Sequence, residues 1–237
     1  MADLYVDTNG ILQPLGVAVL RDSREDLLPP TRDKVETIAG MDGEFDFGSE
    51  LNSRTIELHV CTDIMTPSER ETMKRTIAGC LNPKTGAKTF AFNDSPDKIY
   101  HVFCDGRIQV QSIGRWITFV IPLRIDGSFI VSADLHTQVG SGVLANSGNI
   151  ETPLTIEITG PVTNPSVTVG SDTLSWTGTV GVSDKLEIDT EYMTVKFNGS
   201  NAIADYTGGF PKLQPGETVV VAAAAGTTTW KWRDRWI

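Results

Sequence analysis

The chain is poor in the residues that build most active sites. It holds only three histidines and three cysteines in 237 residues. Cys61, Cys80 and Cys104 are odd in number and widely spaced, which argues against a disulfide framework and for free thiols made in a reducing cytosol. No apolar run approaches the roughly 18 residues of a membrane-spanning helix, so no membrane insertion is expected. The start, Met1-Ala2-Asp3-Leu4, lacks the basic region and apolar core of a signal peptide. Positive charge is scarce too: 20 basic against 30 acidic residues give a formal charge of -10. That balance argues against a general nucleic-acid binder or a protein of anionic membrane surfaces.

Catalytic motifs are also missing. There is no G-x-S-x-G, no H-E-x-x-H and no dinucleotide fingerprint. Pro83-Lys84-Thr85-Gly86-Ala87-Lys88-Thr89 looks like a phosphate loop in passing but lacks the Gly-Lys pair and the strand-then-helix context, so it reads as a polar turn. His59 lies near Cys61 and His101 near Cys104, yet the paired spacing of a zinc site is absent. His136 stands apart from both. The carboxylates Asp42, Glu44, Asp46 and Glu50 are abundant, and abundance is not pairing. No catalytic, cofactor-binding or metal residue is therefore assigned, no cofactor is expected, and the chain reads as a structural or binding protein rather than an enzyme.

What the chain does have is period-two patterning. In a chain of this mass, folding buries about 70% of the surface, enough for ordinary cores without staples. Residues 54–60, 89–92, 99–103 and 115–121 alternate as strands. Asn93-Asp94-Ser95-Pro96-Asp97 reads as a long hairpin loop, and Pro122 as an edge or an end. One helix is predicted over 67–78, with Thr66 as N-cap, Pro67 at the first position, Glu69 completing a capping box and Gly79 ending it. Met73 and Ile77 share one face of that helix. Residues 22–50, rich in Gly and acid, carry no clear pattern.

Residues 137–152 are rich in Gly, Ser and Asn. They suggest a boundary, with an N-terminal domain over 1–140, a linker over 141–152 and a C-terminal domain over 153–237. After it, short strands recur at 154–159, 166–169, 173–177, 185–189, 192–197, 218–223 and 227–233, as in a sandwich or jelly roll. Asn198-Gly199 is a tight-turn signal, which accounts better for the Asn198-Gly199-Ser200 sequon than glycosylation does. Trp230, Trp232 and Trp236 share one parity of a last strand, and Lys231, Arg233 and Arg235 the other. Core on one side and a solvated edge on the other is the simplest reading. Trp176 and Tyr192 are expected in the core as well.

These pieces, taken in order, resemble the distal tail proteins of long-tailed phages. The N-terminal part of the resemblance is Gly40-Met41-Asp42-Gly43, Phe45, Phe47-Gly48, Leu81-Asn82-Pro83, Phe90-Ala91-Phe92, Asp94, Pro96 and Tyr100. The C-terminal part is Asn146-Ser147-Gly148-Asn149, Thr152-Pro153, Ile188-Asp189-Thr190, Phe210-Pro211, Leu213-Gln214-Pro215-Gly216 and Arg233-Asp234-Arg235-Trp236. Cys80, where such proteins often carry Trp, and Asp126-Gly127-Ser128-Phe129, in place of a compact Asp-Pro-aromatic, depart from the pattern. The resemblance implies a mostly β fold: an N-terminal β-rich ring-forming domain with one helix, plus a C-terminal galectin-like β-sandwich. It implies a structural hub in the virion, at the distal end of the tail. That hub would be a homo-oligomer, usually a hexameric ring, with the tail-tube, tape-measure and tip or adhesin proteins as partners. DNA would pass through the ring without sequence-specific contact. A tail-tube subunit with an appended sandwich and a carbohydrate-binding module for cell-wall attachment are the alternative readings.

Overall fold

The computed structural model describes residues 4–8, 11–20, 23–25, 27–63 and 65–237. Among them a single α-helix stands in an otherwise β architecture, as the periodicity predicts. The chain forms two compact units, Met1–Ile130 with Ile237, and Val131–Trp236.

The first unit contains β1 (Leu4–Thr8), β2 (Ile11–Pro14), β3 (Val17–Val19), β4 (Thr31–Glu36), β5 (Phe45–Leu51), β6 (Thr55–Thr62), α1 (Pro67–Cys80), β7 (Lys88–Phe92), β8 (Ser95–Cys104), β9 (Gln109–Ile113) and β10 (Trp116–Ile125). Its sheet runs in the order β2-β1-β7-β8-β10-β6-β3, with β9 hairpinned onto β10. The alternation in β10 is strict: Ile117, Phe119, Ile121, Leu123 and Ile125 are all buried. Phe119, Ile121 and Leu123 stand in register with Val60, Leu58 and Ile56 of β6, whose own alternation matches. One face of this pair thus packs the core while the other stays polar.

Pro122 lies in mid-strand opposite Glu57 rather than at an edge or an end. Its missing N–H is harmless because β10 changes partner there. Pairing with β9 stops at Val120 and pairing with β8 starts at Leu123. In the gap the Pro122 carbonyl accepts from the Asp105 N–H at 3.0 Å. The loop expected at 93–97 is only a two-residue turn, since β8 begins at Ser95.

Helix α1 carries the expected capping box. Thr66 Oγ1 accepts from the Glu69 N–H at 3.4 Å, and the Thr66 N–H donates to Glu69 Oε2 at 2.7 Å. Ile77 is buried and Met73 half-buried. Gly79 does not end the helix. The last turn runs on to Cys80 and closes when the Leu81 N–H donates to the Ile77 carbonyl at 2.9 Å, with Leu81 itself buried. Burial of Leu81 favours two further helical residues over a glycine stop.

The second unit is a sandwich. Its main strands are β11 (His136–Val139), β12 (Gly142–Ala145), β13 (Thr155–Thr159), β14 (Ser166–Val169), β15 (Asp172–Trp176), β16 (Lys185–Asp189), β17 (Thr194–Phe197), β18 (Ser200–Asn201), β19 (Tyr206–Thr207), β20 (Thr218–Ala222) and β21 (Thr227–Trp232). One sheet has the order β11-β21-β13-β16-β17-β18 and the other β12-β20-β14-β15-β19. Ile156, Ile188 and Trp230 from the first meet Leu144, Val169 and Leu174 from the second in one core. Asn198 and Gly199 both take positive φ, at 49° and 81°, in the two-residue turn between β17 and β18.

The domain boundary differs from the expected one. The units divide after Ile130, and the segment expected as a linker includes β12, paired with β20. β11 pairs with β21, and the Gly140 carbonyl accepts from Trp230 Nε1 at 2.8 Å. Gly and Ser in this stretch turn one strand into the next rather than separating domains.

The last strand also differs. β21 stops at Trp232, Asp234 turns inward to 3% exposure, and a short strand resumes at Arg235–Trp236. Trp230 is fully buried, while Trp232 and Trp236 are half-buried. Trp176 is in the core as expected, but Tyr192 is 74% exposed at the turn between β16 and β17.

Two stability outcomes follow. Thr66→Ala should cost about 1 kcal/mol in denaturant unfolding through loss of the cap. Trp230→Ala should cost about 3–5 kcal/mol, and Trp232→Ala clearly less, because only the former empties a closed core.

Candidate functional site

The hairpin of β4 and β5 is exposed along its whole length. These strands pair with each other and with no third strand among the described residues, and every residue from 30 to 52 is exposed. Val35, Ile38, Met41, Phe45, Phe47 and Leu51 are among the large apolar side chains left open to solvent. All four carboxylates singled out in the sequence lie on this arm. Glu50 pairs with Arg32 and Lys34. Hydrogen bonds from Lys34 first, and then Arg32, hold its carboxyl below the ordinary value. Asp46 Oδ1 accepts from the Gly48 N–H at 2.8 Å. The four carboxylates therefore decorate an exposed ribbon rather than line an enclosed cleft.

The root of the arm is fixed. The Asn52 N–H donates to the Pro30 carbonyl at 2.8 Å and closes the hairpin base. Two residues on, Arg54 is buried, and its carbonyl accepts from the Ile125 N–H at 2.8 Å.

Two depressions mark the body of the first unit. A cleft of about 460 Å³ is lined by polar residues such as Glu57, His59 and Arg107 and by apolar ones such as Leu20, Phe119 and Pro122. A smaller, apolar pocket of about 150 Å³ is lined by residues that include Lys74, Ile77, Ile108, Val110, Ile117 and Phe119. The histidine and cysteine pairs do not converge. His59 and Cys61 lie on β6, and His101 on β8 has Nδ1 3.2 Å from Thr89 Oγ1. Burial first, and then the Asp105 carboxylate, push the Cys104 thiol above its ordinary range, the reverse of what a thiolate ligand needs. No group of three or more His, Cys, Asp and Glu side chains among the described residues is placed to hold a metal.

In the second unit the two sheet faces differ in charge. On the six-stranded sheet, Glu157 bonds Lys185 and Lys231 at 2.7 Å each, and Lys185 also reaches Glu187 at 2.9 Å. Burial disfavours the charged Glu157, but the bonds from Lys185 and Lys231 outweigh it and hold the carboxyl below its ordinary 4.5. Bonds to Glu157 and then Glu187 raise Lys185 above its ordinary 10.5. On the other sheet the cross-strand partners Val143 and Val220 are both exposed and carry no charge.

The C-terminal motif pieces meet at one joint. Asn146 Nδ2 donates to the carbonyls of Ile150 at 2.8 Å and Leu213 at 3.0 Å, while its Oδ1 accepts from the Gly148 N–H at 2.9 Å. The Gly216 N–H donates to the Asn146 carbonyl, and the Asn149 N–H to the Arg235 carbonyl, each at 3.0 Å. Thr152 pairs with Leu213. Arg233 bonds the Ser132 and Ala133 carbonyls, Asp234 Oδ2 lies 3.2 Å from His136 Nε2, and Arg235 pairs with Glu191. These residues fasten the start, middle and end of the unit. A side chain at Gly148 would put its Cβ 2.0 Å from the Arg235 carbonyl oxygen, so only glycine fits there.

Comparison with known proteins defines the class: residues 12–124 match the phage tail protein RIFT-related domain, and residues 147–236 match the C-terminal domain of the siphovirus-type tail component. The chain is thus a two-part phage tail protein. It belongs to the distal tail protein family of siphophages.

Solved structures agree on the fold. The Dit protein of phage SPP1, described as a paradigm of the hub adsorption apparatus in phages infecting Gram-positive hosts, superposes with a TM-score of 0.75 at 15% identity, covering 99% of each chain. A chain of the phage p2 baseplate in its activated, strontium-bound conformation gives a TM-score of 0.51 at 10% identity, covering 98% of each chain. No curated protein is matched at a significant level.

Two tests probe the charged ladder and the joint. A carboxyl lowered on folding adds stability above its unfolded value and loses it as pH falls through the folded one. The stability gap between wild type and Glu157→Gln, about 1–2 kcal/mol at pH 7 by thermal melts, should therefore close on acidification below about 4.5. Gly148→Ala should destabilise the second unit by several kcal/mol or prevent its folding, read by circular dichroism.

Proposed function

We propose that the chain forms a closed ring, most simply of six copies, at the distal end of the tail tube, and there joins the tube to the tip or adhesion proteins. In this reading the first unit builds the ring, and the second is a galectin-like sandwich. The observation that carries this reading is the hairpin of β4 and β5. A two-stranded ribbon is marginal alone in water, and this one leaves Phe45, Phe47 and Leu51 uncovered. A fixed root and an uncovered arm suit contact with a neighbour. A ring requires heterologous contacts, in which one patch meets a different patch on the next copy. An arm that leaves its own body supplies the first patch, and the body of the next copy supplies the second.

Family membership supports the same position, and the SPP1 relative is described as a hub. The net charge of -10 suits a channel wall that repels passing DNA rather than holding it. The role is architectural, with the virion as its location.

Replacing residues 31–51 by a short Gly-Ser turn should leave the melting of the second unit unchanged and convert the ring to monomers. Native mass spectrometry and negative-stain images of the full chain, alone and with the tail-tube subunit, read the outcome. A hairpin-deleted chain that still closes into rings would overturn the assignment of the arm.

A further inference from the structure

We infer that the arm has a specific socket: Phe47 of one copy seats its ring in the apolar pocket between α1 and the β9–β10 hairpin of the next copy. The inference rests on the ring reading above and adds its contact.

The arm is bent to present this side chain. Asp33 of β4 pairs with Ser49 and Val35 with Asp46, so Phe47 and Gly48 together oppose the single residue Lys34. That is a β-bulge, a device that re-aims a side chain out of the regular pleat. Gly48 takes a φ of +93°, and its N–H is held by the Asp46 carboxylate, so the bend is built in. At 67% exposure, Phe47 is more open than Phe45 at 45%. In the single chain it does not fill the pocket of its own body.

The socket matches in size and chemistry. A cavity of about 150 Å³ lined by Leu, Ile and Phe takes up a benzene ring. This pocket has about that volume and is walled by Ile77, Ile108, Val110, Ile117 and Phe119. The helix also lines it with the small, exposed Ala78 and with Lys74.

Charge favours the same pairing. Phe47 follows an acidic run with Asp42, Glu44 and Asp46, all exposed. The helix beside the pocket carries Arg70, Lys74 and Arg75 against Glu69 and Glu71, with Lys74 paired to Glu71 at 2.7 Å. That leaves a small positive excess, so an acidic arm meets less repulsion there than at another acidic arm.

The test uses the full chain. First, p-benzoylphenylalanine in place of Phe47 is photo-activated in a mixture of isotopically heavy and light chains. The expected crosslinks join heavy to light chains and map to residues 74–78 or 108–119. Crosslinks confined to one chain, or mapping elsewhere on the partner copy, overturn the socket. Second, Phe47→Ala and the pocket-filling Ala78→Phe are compared with wild type by sedimentation. Each should weaken association at least about 10-fold, with Phe47→Ala leaving the melting curve unchanged because the residue is exposed in the monomer. Association of Phe47→Ala that matches wild type overturns the socket while leaving the ring intact. If a variant shifts the melting curve, the crosslink map decides. A wild-type chain that never self-associates, with or without the tail-tube subunit, overturns the ring reading and the socket with it.

Discussion

A two-stranded ribbon cannot bury its own apolar side chains, and that constraint governs residues 31–51. The pairing of β4 with β5 satisfies backbone groups between the two strands, but none of Phe45, Phe47 and Val35 is buried by the described residues. Such a segment is at best marginally stable alone. It persists as an arm because its base is clamped by Asn52 and Pro30, and because the buried Arg54 leads directly into β6. The stiff pair β6–β10 behind it is fully alternating and fully packed. The proposed ring rests on this arm more than on any other feature.

The second unit obeys a different constraint. Its core closes within itself, with Trp230 at the centre and residues of both sheets around it. What needs fastening is the boundary of the unit, where the first strands and the last residues of the chain come together. The Asn146–Gly148 turn, the Leu213–Gly216 segment and the Arg233–Arg235 segment supply those bonds. Each piece is common turn or packing chemistry. Their joint geometry ties them together, and a Cβ at Gly148 has no room. An ordered set of weak motifs spread over ninety residues is thus one structural element in space.

The charge of the chain is also distributed by role. On the six-stranded sheet, carboxylates and lysines compensate one another in a ladder around Glu157. On the arm, acidic residues outnumber the basic ones, and among the described residues only Glu50 of them stands in an ion pair.

Local rules made much of this legible from residues alone. Period-two alternation marked most main strands of the second unit, and Thr66-Pro67-x-Glu69 marked the start of the helix. Asn198-Gly199 marked a turn with both residues at positive φ. These signals depend only on neighbours in sequence, and the residue order sufficed to suggest the family. Pro122, Tyr192, the reach of β21 and the boundary after Ile130 depended on strand pairing. A proline is tolerated in mid-strand only if the flanking strand is absent there, and a glycine-rich run becomes a strand only if an edge is open to receive it. The arm itself had no period to read, because alternation arises from having one buried face, and the arm has none within its own chain. Turn chemistry and periodicity are written residue by residue; which edge is paired, which face is covered and which is left open exist only once distant segments meet.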